Sequence, residues 1–105
     1  MCKYIQKMLE GFSKNMQKRE STVERYLVRK VKEMGGMAIK LNPIGMAGLP
    51  DRLILLPGAR VIFAEVKRPG EKPRKIQTVI HNQLRLLGFR VEVVDSNEKI
   101  REVLT

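Results

Sequence analysis

Two carboxylates and one ammonium group stand out near the middle of the chain. Asp51 follows a Gly-Leu-Pro tripeptide at the head of one apolar segment, and Glu65 and Lys67 close the next one, separated only by Val66. Carboxylate oxygens suit Mg²⁺ or Mn²⁺, and the Val66 carbonyl could serve as an extra ligand. Such an ion lowers the pKa of a bound water, and a neighbouring lysine could orient that water or offset phosphodiester charge. The chemistry indicated is metal-assisted hydrolysis.

The segments that carry these residues predict a β-hairpin. Arg52–Leu56 and residues 60–67 are rich in Ile, Leu, Val and Phe, and the Pro-Gly pair at 57–58 is a strong turn signal. Strand side chains alternate, so Glu65 and Lys67 share a face, and a hairpin brings Asp51 beside them. The alternative is an ordinary surface ion pair next to a common Pro-Asp turn. Apolar residues on both faces of the second strand favour burial, where unpaired charges are costly.

Apolar spacing and turn signals predict the elements around this hairpin. The expected order is α-α-β-β-β-α-β-α, with helices at 1–17, 21–34, 73–87 and 96–104, and strands at 37–41, 52–56, 60–67 and 89–94. The helix at 73–87 carries Ile76, Val79, Ile80, Leu84 and Leu87 on one face, and it is a natural crossover between strands that could be parallel. The sequence therefore predicts an α/β fold with a central mixed sheet flanked by helices.

The first predicted helix is amphipathic. Its apolar stripe, formed by Ile5, Met8, Leu9, Phe12 and Met16, could pack on its own domain or cover a partner subunit. The second helix begins at a Ser21-x-x-Glu24 capping box, in which the serine and glutamate side chains each bind a free backbone N–H. That role alone would explain Glu24. The single cysteine, Cys2, and the absence of a signal-like or membrane-spanning run indicate an intracellular protein that does not associate with membranes.

Charge is the strongest compositional signal. The 105 residues include 21 Lys and Arg against 11 Asp and Glu, a formal net charge of +10. Such a surplus indicates a polyanionic partner, nucleic acid above all, with an anionic membrane surface as the minor competitor. Arg68, Lys72, Arg74 and Lys75 follow directly after the motif and could grip DNA phosphates, or form a solvated loop. His81, the lone histidine, is interpreted as an exposed helix residue rather than a general base.

Two blocks of sequence resemble a known family. Gly-Leu-Pro-Asp-Arg-Leu-Ile-Leu at 48–55 and Phe-Ala-Glu-Val-Lys-Arg-Pro-Gly at 63–70 are similar to the PD-(D/E)xK nuclease superfamily, and more narrowly to the VRR-Nuc family of virus-type replication-repair nucleases. The resemblance spans about residues 21 to 100. It implies a restriction-endonuclease-like core, with residues 1–20 as an N-terminal helix and linker and residues 21–105 as the nuclease domain.

The resemblance also implies roles for individual residues. Asp51 and Glu65 would bind the metal and Lys67 would be catalytic, with Mg²⁺ or Mn²⁺ as cofactor and no organic cofactor. Glu24 would complete the metal site, and Gln77, in the helix after the motif, would face it.

The expected function is that of a structure-selective DNA endonuclease. Short stand-alone members of the family resemble Holliday-junction resolvases, and two matched cuts in a four-way junction predict a symmetric homodimer. The N-terminal or the final helix could contribute to its interface. Three alternatives remain open: a nuclease that nicks or degrades DNA with little structure preference, a non-catalytic DNA-binding subunit with the same fold, and an RNA-binding protein.

Overall fold

The computed structural model describes residues 21–41 and 46–105. The helix predicted at 1–17, its linker and the centre of the loop at 42–50 lie outside these residues. The elements in chain order are α1 (Thr22–Glu33), β1 (Met37–Lys40), β2 (Arg52–Leu56), β3 (Arg60–Val66), α2 (Lys75–Leu86), β4 (Arg90–Val94) and α3 (Asn97–Leu104). Each confirms a predicted element to within two residues. None of the described helices is long and apolar enough to cross a membrane.

The four strands form one mixed sheet in the order β1-β2-β3-β4. β1 and β2 pair antiparallel, as do β2 and β3, whereas β3 and β4 are parallel and α2 connects them. The register pairs Arg52 with Ala64, so Asp51 and Glu65 follow as neighbours at the same edge of the hairpin. The hairpin and the crossover were both expected from the sequence, and both are confirmed.

The hydrophobic core lies between one face of the sheet and the helices α1 and α3. Leu27 and Val31 of α1 meet Ile54 of β2 and Ile62 of β3, and every one of these side chains is buried. The apolar side chains of α3 complete this layer with Ile100, Val103 and Leu104. Ser96 caps α3, its Oγ accepting a hydrogen bond from Lys99 N–H. The apolar side chains of α3 are buried in the core of the same chain. They therefore give no support to the suggestion that this helix joins a subunit interface.

The orientation of α2 differs from the pattern in its sequence. An apolar stripe normally marks the face that packs on the core, yet the buried residues of α2 are Gln77 and His81. Ile76 and Val79 are exposed, and Leu87, just past the helix, is 74% exposed. The interpretation of His81 as an exposed residue is therefore wrong, since its exposure is only 2%. The reason is that Gln77 and His81 of α2 face Glu65, a buried carboxylate near the end of the central strand β3, and such a carboxylate needs polar partners.

Within the described part of the chain, the other face of the sheet is apolar and only partly covered. Met37 and Ile39 of β1 are exposed. Ile39 pairs with the half-buried Leu53, which pairs in turn with the half-buried Phe63. Phe89, also exposed, packs edge-on against Phe63 with ring centroids 5.6 Å apart. We refer to these five residues as the outer apolar face. Large contiguous surfaces of this kind commonly mark sites of association.

Candidate active site

Asp51 is fixed between the ends of three strands. Its carboxylate Oδ2 accepts a hydrogen bond from the backbone N–H of Val66 at 2.8 Å, and its backbone carbonyl accepts one from Leu41 N–H at 2.8 Å. The first contact crosses the open end of the β2–β3 hairpin. The hairpin geometry expected from the sequence thus does bring Asp51 to the Glu-Val-Lys segment.

Glu65 and Lys67 lie together, as strand alternation requires. The Lys67 Nζ is 3.0 Å from Glu65 Oε2, and the two side chains are 11% and 1% exposed. A buried carboxylate is costly unless it is paired and hydrogen-bonded. The pairing with Lys67 offsets part of that cost and fixes one oxygen of Glu65.

A second partner of Glu65 comes from α2. Gln77 donates from Nε2 to Glu65 Oε2 at 2.7 Å, and its Oε1 accepts a hydrogen bond from the backbone N–H of Arg74 at 2.8 Å. The Gln77 side chain is therefore fixed at both ends, by the buried carboxylate and by the first turn of its own helix. The family resemblance placed Gln77 at the site, and the structure brings it there.

The other oxygen of Glu65 faces a histidine. His81 Nε2 lies 3.9 Å from Glu65 Oε1, and neither atom has a hydrogen-bond partner in the described part of the chain. His81 follows Gln77 by one helical turn, so both side chains project from the same face of α2. Reasoning from sequence missed this contact. The one available signal was the spacing of four residues between Gln77 and His81, which puts any partner of the first within reach of the second.

The charges of this cluster act on one another. Burial raises the pKa of Glu65 above its usual range and the charge of Asp51 raises it further, while Lys67 and Gln77 act in the opposite direction. Burial also lowers the pKa of His81, helped by the positive charges of Arg85 and Lys67. A buried carboxylate whose pKa is raised by the charge of a neighbouring carboxylate is in the kind of environment that a cation stabilises.

Glu24 lies on the opposite wall and is held by Arg52. Its Oε2 accepts a hydrogen bond from Arg52 Nε at 2.9 Å, and Arg52 Nη1 donates to the carbonyl of Ala38 at 3.2 Å. The backbone N–H of Glu24 donates to Ser21 Oγ at 3.1 Å, and this hydrogen bond is the serine half of the predicted capping box. The carboxylate of Glu24 thus takes part in an ion pair across the fold, with a partner that reasoning from sequence did not assign to it.

A groove opens between these walls. It is lined by Ser21, Glu24, Lys40, Asp51, Val66, Lys67, Arg68 and Glu71. Lys40 is a cation that sequence reasoning missed, because it ends a four-residue strand far from any motif. Of the basic run after the motif, Arg68 lines the groove, whereas Lys72, Arg74 and Lys75 are exposed on the connection into α2. Glu65 lies behind Lys67 and reaches the groove through it.

The loop that precedes Asp51 is packed closely against α2. Gly48 has a φ of +90°, and a Cβ at this position would lie 2.7 Å from the carbonyl oxygen of Ile76. Only glycine combines that backbone conformation with such a close approach. The glycine of the Gly-x-Pro-Asp block therefore fixes the distance between the segment leading to Asp51 and the helix that carries Gln77.

The donor set is compatible with a hard divalent cation. Within residues 21–41 and 46–105, no three Asp, Glu, His or Cys side chains form a ready-made metal cage. Mg²⁺ is usually held by only one or two carboxylates, with water and phosphate oxygens completing the shell. Asp51 and Glu65 supply two carboxylates, and Glu65 Oε1 is a buried oxygen that has no hydrogen-bond partner among the residues that the structure describes. The chemistry of these donors fits such an ion.

A mixed sheet with an aspartate and a Glu-x-Lys at adjacent strand ends, flanked by helices, defines a restriction-endonuclease-like nuclease fold. No protein-family model matches the sequence. The chain is 45% identical to "Putative nuclease p44" of Acyrthosiphon pisum secondary endosymbiont phage 1 over 80 residues, which are 76% of this chain and 86% of that protein. A solved VRR_NUC domain matches with a TM-score of 0.74 and 32% identity, over 78% of this chain and 89% of that one. The chain belongs to the VRR-Nuc family of nucleases.

Proposed function

We propose that this nuclease is an endonuclease that hydrolyses DNA phosphodiesters with Mg²⁺ or Mn²⁺. The observation that carries the proposal is the convergence of Asp51, Glu65 and Lys67 at the open end of the hairpin, where Asp51 contacts Val66 and Lys67 contacts Glu65. Two carboxylates and an ammonium group at the edge of a basic groove are the components that phosphodiester hydrolysis needs.

Asp51, Glu65 and the carbonyl of Val66 are the groups that would hold the ion. When bound, a divalent cation supplies a water of lowered pKa and offsets charge on the phosphate. Lys67, which lines the groove and contacts Glu65, would orient the attacking water and stabilise negative charge on the phosphate oxygens. Gln77 holds Glu65 in place from behind.

Glu24 has a more distant role in this proposal. Its carboxylate is engaged by Arg52 at 2.9 Å, so it would act on the ion through water rather than directly. The groove that it lines also contains Asp51 and Lys67. This arrangement lets Glu24 contribute negative charge to the site while Arg52 keeps it in a fixed orientation.

The DNA backbone would lie along the basic wall of the groove. Arg68 is the cation best placed to contact a phosphate beside the scissile bond, because it lines the groove next to Lys67. Lys72, Arg74 and Lys75 would follow the strand further along, where their exposure leaves them accessible. Contacts of this kind position DNA without reading its sequence.

A cleavage assay tests the enzyme. Labelled duplex, nicked, flap and four-way-junction DNAs are incubated with Mg²⁺, with Mn²⁺ and with a chelator. Glu65→Gln and Lys67→Met should each reduce cleavage at least about 100-fold, whereas Glu98→Gln, on an exposed residue of α3, should leave it unchanged. A wild type inactive on every substrate with either ion contradicts the proposal, and would favour a non-catalytic DNA-binding subunit. A fully active Glu65→Gln variant contradicts the site assignment.

The substrate that we propose is branched DNA, cut by a homodimer. The described residues form one site, and symmetric cutting of a four-way junction needs two sites related by a twofold axis. The outer apolar face supports self-association, since Met37, Ile39 and Phe89 are exposed on it. Its position on the sheet face away from α1 and α3 leaves the core undisturbed when a second copy binds.

The assembly is tested by mass measurement in solution. Light scattering after size exclusion should give twice the chain mass for the wild type. Ile39→Glu should give the monomer, because it places a charge on the outer apolar face. Met34→Glu is the matched control, since Met34 is equally exposed but follows α1 on the opposite side of the sheet. A monomeric wild type that cuts linear and branched DNA equally would favour the less selective nuclease.

A further inference from the structure

The α2 helix presents two polar side chains to one carboxylate. Gln77 and His81, one turn apart, are the buried residues of this helix, and both are directed at Glu65. Ile76 and Val79 are exposed instead. A helix that exposes apolar side chains in order to bury an amide and an imidazole loses hydrophobic stabilisation. The buried polar pair must therefore serve the carboxylate that it faces.

The two oxygens of Glu65 have different surroundings. Oε2 receives Lys67 Nζ at 3.0 Å and Gln77 Nε2 at 2.7 Å. Among residues 21–41 and 46–105, Oε1 has no hydrogen-bond partner, and the facing Nε2 of His81 has none either, across a distance of 3.9 Å. An ordinary N–H···O hydrogen bond is about 2.9 Å long, so a shift of about 1 Å joins the two atoms.

The position of His81 excludes a direct part in the chemistry. Its side chain is 2% exposed, and it is not among the residues that line the groove. Glu65 and Lys67 lie between it and the place where a phosphate could bind. A residue so placed acts on the reaction through the group it contacts.

We infer that His81 is a positioning residue for Glu65, whose Nε2 donor orients Oε1 and so fixes the carboxylate for metal binding. The inference rests on the proposed metal-dependent function. Residues behind metal-binding carboxylates fix the ligand's orientation, and their loss commonly weakens metal affinity about 10- to 100-fold. Gln77 serves one oxygen and His81 serves the other, so α2 determines the orientation of both.

Three variants of His81 separate positioning from packing. A glutamine side chain places its amide nitrogen near the position of the histidine Nε2, an asparagine places it nearer Nδ1, and a leucine fills the volume without a donor. Each variant is compared with Gln83→Ala, a change at an exposed position of the same helix. The measurements are Mn²⁺ affinity of the metal-free protein by calorimetry, kcat and KM for DNA, and the melting temperature without metal.

The expected result is a split between the variants. His81→Leu and His81→Asn should bind Mn²⁺ at least about tenfold more weakly and lose kcat with KM for DNA unchanged. His81→Gln should stay within about threefold of the wild type, because it keeps the donor on Oε1. If His81→Leu fails to fold, the comparison of His81→Asn with His81→Gln still tests the positioning role. Both variants carry a polar amide, and they differ in where its nitrogen lies.

Two other results would overturn the inference. If His81→Leu and His81→Asn bind Mn²⁺ as tightly as the wild type and keep its kcat, His81 does not position Glu65. Equal losses in the Asn and Gln variants, tracking their melting temperatures, would show a packing role instead. A wild type that binds no Mn²⁺ would overturn the proposed metal dependence and this inference together. A wild type that binds Mn²⁺, with His81 variants that bind it equally well, would overturn this inference alone.

Discussion

Gln77 Nε2 donates a hydrogen bond of 2.7 Å to Glu65 Oε2, joining the crossover helix to the buried carboxylate of the central hairpin. The Oε1 of the same amide accepts from Arg74 N–H, so the contact also closes the first turn of α2. A single side chain thus couples the position of α2 to the orientation of Glu65. This coupling gives the first prediction.

Gln77→Ala should lower both stability and activity. Loss of the amide leaves a buried carboxylate oxygen with one partner fewer, which costs about 1–3 kcal/mol of unfolding free energy. Gln77→Glu should be worse, because it places a second carboxylate against Glu65. Urea denaturation of the metal-free protein measures the cost, and Thr78→Ala, at an exposed neighbouring position, is the control. Equal stability of the wild type and Gln77→Ala would contradict the structural role.

The buried pair of Arg52 and Glu24 should show strong coupling. Replacing Arg52 by methionine leaves Glu24 as an unpaired carboxylate, and breaking a buried pair in this way costs about 3–5 kcal/mol. Adding Glu24→Gln to that variant removes the isolated charge and should restore part of the loss. A double-mutant cycle from denaturation curves measures the coupling. Additive effects of the two substitutions would mean that the 2.9 Å contact contributes little.

The contribution of Glu65 to the stability of the metal-free protein should fall as the pH rises. The pKa of Glu65 is raised in the folded state by burial and by Asp51, so folding is favoured by the protonated form. The folded state therefore has its full advantage below the usual pKa of 4.5 and loses it as the pH rises through the higher folded value. Glu65→Gln removes this dependence, so its stability relative to the wild type should grow between acidic and neutral pH.

The measurement is thermal denaturation of the wild type and of Glu65→Gln, from below the usual glutamate pKa of 4.5 up to neutral pH. The pKa of His81 is lowered, so its contribution runs the other way and is lost as the pH falls below the usual value of 6.5. Comparing Glu65→Gln with the wild type cancels much of the histidine contribution. A constant difference between the two proteins at every pH would contradict the raised pKa of Glu65.

Charge reversal in the basic run should weaken DNA binding in a salt-dependent way. Removing one phosphate contact reduces the slope of log K against log salt by about 0.9 on duplex DNA. Arg68→Glu should produce such a change, because Arg68 lines the groove beside Lys67. Lys32→Glu, in the last turn of α1, is the matched charge reversal away from the groove. It should leave the salt-dependence slope steeper than in Arg68→Glu. Binding titrations with a catalytically inactive variant at several salt concentrations give both slopes.

Two glycines with similar backbone conformations allow a controlled test of the loop before Asp51. Gly48 and Gly70 have φ values of +90° and +78°, but a Cβ would meet Ile76 only at Gly48. Gly70→Ala should cost about 1 kcal/mol for the left-handed conformation alone. Gly48→Ala adds the close contact with the Ile76 carbonyl, so it should cost more and should also lower activity. Equal losses of unfolding free energy would show that the loop moves freely away from α2.

The sequence predicted the hairpin part of the site because that part depends on local rules. Strand alternation puts Glu65 and Lys67 on one face, and a short turn sets Asp51 beside them, as the contact with Val66 confirms. The family resemblance added Gln77 and Glu24. It did not indicate what would hold them: Arg52 lies inside the first of the two blocks without an assigned partner, and Lys40 lies outside both blocks.

The orientation of α2 in the structure differs from the one that its sequence pattern indicates. Its apolar spacing indicates which residues share a stripe, but the interpretation of His81 as exposed rested on the lack of any second signal for a general base. Only the tertiary structure shows that the buried side of the helix carries His81 and Gln77. Spacing along a helix determines which side chains share a face. Which face packs against the sheet depends on the side chains that the sheet carries there. Here β3 presents a buried carboxylate, and an unpaired charge in that place costs more than the exposure of several apolar side chains.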